Sequence, residues 1–209
     1  DRGRVCAVGT VVDDATEEVD GTGLVVCPGF IDPHTHFDAQ LLWDPYASPS
    51  NLHGITTVIS GNCGFTLAPM RPEDAGWTLE MMAEVEGMPL AALKAGVTGS
   101  WTTFPEYLER VDGRLGVNAG FLVGHCQLRR YVMGADGDRE ATPTEVAAMA
   151  AELRASLAAG GLGFSSTQSF SHNDGDGKPG GKRPTLTQNP TPVLRCGDGV
   201  SVPETDALG

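Results

Sequence analysis

A chain of 209 residues, 40% hydrophobic and 20% charged, has enough apolar material for one sizeable domain, or one domain and part of another. Its net charge of −13 excludes nucleic acid and anionic membrane surfaces as partners, because both demand clustered Lys and Arg. Five cysteines (Cys6, Cys27, Cys63, Cys126, Cys196) without a CxxC argue against a disulfide framework. Together with the lack of a signal peptide or a run of ~20 apolar residues, this points to a cytoplasmic protein.

From Val5 to Val26, β-branched runs broken by Asp-rich and Gly-rich turns predict two or three antiparallel strands. After Pro28, strand-length apolar runs alternate with helical stretches, the pattern of βα units on a parallel sheet. Strands are expected at "GFID", "TTVISG" (Thr56–Gly61), "VNAGFLVGH" (Val117–His125) and "GLGFSS" (Gly161–Ser166). Each is nearly all apolar, as a strand buried on both faces must be. A helix around Leu79–Lys94 is interrupted by "GMPL", with Met81 and Met82 as packing residues. Thr103 with Glu106, and Thr142 with Glu145, form S/T-x-x-E capping boxes that open two further helices. In the second of these, Val146, Met149, Ala150, Leu153 and Leu157 share one face, which predicts a stripe turned to the core. From Asn173 onward the chain is dense in Gly, Pro, Thr and Asp with no sustained period, and reads as loop or disorder.

The chemistry concentrates at predicted strand ends. His34 and His36 stand one residue apart after the first strand, and in extended backbone residues i and i+2 project to the same face. Two convergent imidazoles suit a divalent transition metal; rings that merely bond carboxylates are the competing reading. Cys63, bracketed by Gly61 and Gly64 in "SGNCG", ends the second strand on the same side, where a thiolate would hold zinc tightly. His125 ends the third, as a ligand, proton carrier or substrate contact. Arg129 or Arg130 could meet a substrate carboxylate, or could simply begin a solvated helix. Cys126 reads as core, and His53 and His172 as surface or loop residues.

"GLVVCPGFIDPHTHFD", "HGITTVISGNCGFTLAP", "WTTFPEYLERV" and "VNAGFLVGHCQLRRYVMG", in that order, resemble the amino-terminal half of the N-acyl-D-amino-acid deacylases (D-aminoacylases), from about Asp1 to Gly177. These belong to the amidohydrolase superfamily. The resemblance implies a fragment of a small β-sandwich (1–27), the first four units of a distorted (β/α)8 TIM-type barrel (28–172) and an irregular tail (173–209). It implies zinc as cofactor, Cys63 on the tightly bound ion, and His34 and His36 at a second, weaker metal position. The substrate would be a small N-acyl-D-amino acid, split into D-amino acid and carboxylate. In the family, two more zinc histidines come from strands five and six, and the general-base Asp from strand eight. No position of this chain matches them, so no catalytic residue is assigned. The resemblance stops after about Pro179, as a shifted reading frame would make it stop.

An inactive metal-binding remnant is therefore the alternative. A cyclic-amide hydrolase of the hydantoinase or dihydroorotase kind is less favoured, because "GGLGFSSTQS" lacks the lysine that bridges metals in those enzymes. The sequence alone leaves oligomeric state and acyl preference open.

Overall fold

The computed structural model describes residues 4–11, 15–98, 100–137 and 139–167. The predicted irregular tail, with His172 and Cys196, lies outside them. Four strands pair in chain order, every pair parallel: β1 (Phe30–Asp32), β2 (Ile55–Ser60), β3 (Asn118–Gly124) and β4 (Gly163–Ser165). Parallel neighbours need a crossover between them. The first one contains two 3-10 turns, Gln40–Leu42 and Ser50–His53. The second contains α1 (Ala75–Glu86), α2 (Leu90–Gly96) and α3 (Phe104–Val111). The third contains α4 (His125–Met133) and α5 (Pro143–Ala158). This is a partial TIM-type barrel, with all strands running toward one rim.

Local chemistry explains the helix boundaries. The Thr103 and Thr142 side chains each accept from the backbone N–H of the glutamate three residues on, and each glutamate reaches back to the capping N–H. Between α1 and α2 the helical pattern breaks at Gly87, whose φ of +63° ends the first helix, and Pro89 precedes the second.

The core lies between the sheet and α1–α4. Val58 and Val123 from the strands meet Met81, Met82, Leu93, Phe104, Tyr107 and Leu128 from the helices, all buried. Tyr107 packs edge-on to Phe121, ring centroids 5.2 Å apart, and its hydroxyl donates to the Asp38 carbonyl at 3.0 Å. The Trp101 indole N–H donates to the Leu67 carbonyl at 2.7 Å, so neither buried aromatic leaves its polar end unpaired.

Three expectations change. The described residues before Phe30 form no strand, only a turn from the Leu24 N–H to the Gly21 carbonyl, and Val5, Val8, Val19, Val25 and Val26 are exposed. Short strands with no third strand or helix to pack on are marginal in water. The α5 stripe is covered only in part. Met149 is buried and Leu153 packs on the core, but Val146 and Leu157 remain 52% and 38% exposed. α5 lies against α4 and β3. Finally, His125 opens α4 instead of ending β3, and both arginines after it sit inside that helix.

Candidate metal centre

β1 ends at Asp32, so His34 and His36 lie just beyond the strand, in a segment that stays fastened to β2. The Asp32 carboxylate accepts the His34 N–H at 3.1 Å. Thr35 turns inward, its N–H and hydroxyl both reaching the Ile59 carbonyl at 2.9 Å, and the Phe37 N–H reaches the Ser60 hydroxyl at 3.2 Å. With Thr35 pinned into the interior, the residues on either side of it bring their rings together. The His34 and His36 centroids are 5.4 Å apart, edge to face.

Cys63 reaches the same place from the end of β2, in a turn with unusual backbone. Its φ of +56° lies in the left-handed region, which side chains other than glycine seldom adopt, and Gly61 and Gly64 on either side are left-handed too. Such a conformation persists only where its surroundings hold it. Here the Asp38 carboxylate accepts the Gly61 N–H at 3.1 Å, and the Asn62 amide donates to the Ile59 and Thr35 carbonyls. Ser165, at the end of β4, accepts the Gly64 N–H at 3.0 Å and donates to the Gly61 carbonyl.

The result is a compact donor cluster. The Cys63 Sγ stands 3.4 Å from the His34 Nε2, and one ligand atom from each of His34, His36 and Cys63 lies within 4.8 Å of the others. His34 is exposed; His36 and Cys63 are half-buried. Beneath them lie two carboxylates. Glu86, the last residue of α1, places Oε1 3.3 Å from the His36 Nδ1, and burial pushes its pKa up to about 7. Asp38 is fully buried and is likewise pushed up to about 7, by burial first and then by the charge of Glu86 against the pull of its bond from Gly61.

His125 does not join the cluster. Its Nδ1 lies 3.4 Å from the Ser166 Oγ, its ring leans on Phe164, and burial and the charge of Arg129 push its pKa down to about 4. The arginines are committed elsewhere. Arg129 is buried and donates to the carbonyls of Gly137 and Arg139, while Arg130 pairs with Asp74 at 2.6 Å and stacks over Trp77. Neither is available to a substrate carboxylate. Cys126 is core, as expected, its thiol pushed up to about 12 by burial. His53 is exposed in a 3-10 turn.

Asp38, Glu86 and Ser165 support the cluster without having been singled out in the sequence. Asp38 adjoins the histidine pair and could have been found there. Glu86 and Ser165 come from distant elements, and no spacing announces them.

The amidohydrolase family model matches residues 17–185. The chain belongs to the amidohydrolase family. This amidohydrolase is 43% identical over 158 residues to an uncharacterized protein of Mycobacterium tuberculosis, across 71% of this chain and 25% of that one. It is 38% identical over 164 residues to a D-aminoacylase of Alcaligenes xylosoxydans xylosoxydans, across 78% of this chain and 31% of that one. Among solved structures it is similar to an N-acyl-D-glutamate deacylase from Bordetella bronchiseptica complexed with zinc and a phosphonate mimic of the tetrahedral intermediate. That match has a TM-score of 0.53 and 36% identity, and covers 66% of this chain and 27% of the other. The chain thus spans about a quarter to a third of the length of the curated relatives it matches.

Proposed function

We propose that this chain carries the first two strands' share of the metal centre of a zinc-dependent hydrolase of linear amides, one that converts an N-acyl-D-amino acid to a D-amino acid and a carboxylate. The observation that carries this reading is the convergence of His34, His36 and Cys63. The donor set fits the metal: thiolate and imidazole are the ligands zinc prefers, and bonds of about 2.0–2.3 Å bring neighbouring donors to the separation seen between Cys63 and His34. The left-handed turn at Cys63 supports it too, because strain of that kind collects at functional sites. The deacylases to which the chain is similar supply the substrate class.

When bound, zinc would polarise the amide carbonyl and bring the pKa of a water toward ~7. Cys63 would ligate as the thiolate and release its proton on binding. His34 and His36 would donate from neutral rings, with His34 nearest solvent. His125, uncharged at neutral pH, would contact substrate by hydrogen bonding; its position at the carboxyl end of β3 supports that role. A cytoplasmic location is part of the same reading and rests on the odd cysteine count. No described helix is long and apolar enough to cross a membrane.

The second reading, an inactive metal-binding remnant, has an observation of its own: among the described residues, no further His, Cys, Asp or Glu joins the three donors. Zinc content and affinity of the purified chain, with hydrolysis of N-acetyl-D-methionine, separate the two. The expected result is a zinc-retaining wild type and a Cys63→Ser variant that loses affinity by about 100-fold or more. Turnover abolished by that substitution rejects the remnant. Zinc without turnover establishes it, and a folded wild type that takes up no zinc ends both readings.

A further inference from the structure

Glu86 sits where local preference disfavours it. It is the last residue of α1, where the helix dipole repels an anion, and its side chain is only 16% exposed. Asp38, a fully buried carboxyl group, is close enough to interact with it. Among the described residues its only ion-pair partner is His36, and no lysine or arginine neutralises it. A half-buried carboxyl group kept at the end of a helix that suits cations, with its oxygen turned to a clustered histidine, signals a requirement other than stability. The contact it makes is specific: Oε1 faces the Nδ1 of His36, one of the three clustered donors.

We propose that Glu86 is a positioning residue for His36: its carboxylate, held 3.3 Å from Nδ1, favours the tautomer protonated at that nitrogen and so leaves Nε2 as the nitrogen available to a metal. This inference rests on the metal-centre reading above. A carboxylate on the far nitrogen also makes an imidazole a stronger donor, and losing such a partner generally weakens metal binding 10- to 100-fold. Neighbouring Glu84 is exposed and serves as a control for charge alone.

The test uses the full chain as wild type, Glu86→Gln, Glu86→Ala and Glu84→Gln. Zinc affinity is measured by competition with a chromogenic chelator. Histidine tautomers are read from long-range 1H–15N spectra of metal-free, 15N-histidine-labelled protein. Glu86→Ala is expected to bind zinc 10- to 100-fold more weakly, Glu86→Gln to fall between it and wild type, and Glu84→Gln to match wild type. In the spectra, His36 is expected as the Nδ1–H tautomer in wild type and as the other tautomer, or a mixture, in Glu86→Ala. A Glu86→Ala affinity within twofold of wild type, or an unchanged His36 tautomer, overturns the proposal. A wild type that binds no zinc defeats the metal-centre reading separately, and the metal-free spectra then decide the role of Glu86 alone.

Discussion

His125 illustrates how burial changes what a side chain contributes. The unfolded chain takes up a proton on this histidine near its ordinary 6.5, while the folded chain refuses it until about 4. Its contribution to stability is therefore complete above about pH 6.5 and declines as pH falls toward 4. Comparing urea midpoints of wild type and His125→Gln should show the difference between them varying across that window and constant above it. Equal pH profiles would mean that His125 titrates normally in the folded state. Gly124, one residue earlier, is constrained by space. A methyl group there would meet the Gly64 carbonyl, which is backbone and has little room to yield. Gly124→Ala is expected to cost about 1–3 kcal/mol in a urea melt, and to weaken zinc binding because the displaced residue adjoins Cys63.

Among the elements, both capping boxes formed where "TFPE" and "TPTE" announced them, because the interaction closes within four residues. Thr103→Ala and Thr142→Ala should each cost about 1 kcal/mol in thermal or urea unfolding, and an unchanged midpoint would show the cap to be redundant. The parallel strands were legible for a similar reason: each is a short apolar run bounded by glycine or a helix cap. The valine-rich segment before Phe30 has the composition of strands but lacks partners among the described residues, and composition cannot supply a partner. The α5 stripe failed in the same way, since periodicity says which face is apolar but not how much of it will be covered. In the site, His34, His36 and Cys63 were legible because glycines and alternation mark them locally. Glu86 and Ser165 were not, because their relation to the cluster exists only after α1 and β4 have packed.

At the scale of the whole molecule, apolar surface remains open on several sides. Phe30 and Ile31 on the β1 edge are 57% and 64% exposed, and Val146, Leu157 and Leu162 are exposed near the other end of the sheet. A groove of about 600 Å³, lined by Leu108, Val111, Val117, Phe121 and Leu162, opens beside the amino-terminal half of β3, at the opposite end from the donor cluster. An exposed apolar edge strand is a template for pairing with another chain, and lysine on the edge blocks it. Light scattering should accordingly show association that grows with concentration in wild type and is reduced by Ile31→Lys; a wild type that is monomeric at every concentration would contradict this. The Ser165 clamp on the Cys63 turn has a consequence in time. All three donors come from neighbouring strand exits, but the serine that holds the turn is 101 residues beyond Gly64. At ordinary rates of synthesis, about 5–20 residues per second, the ribosome delivers the cysteine roughly 5–20 seconds before its clamp. During that interval the nascent chain carries the donors without the bond that shapes their turn, and β4 completes the site when it docks.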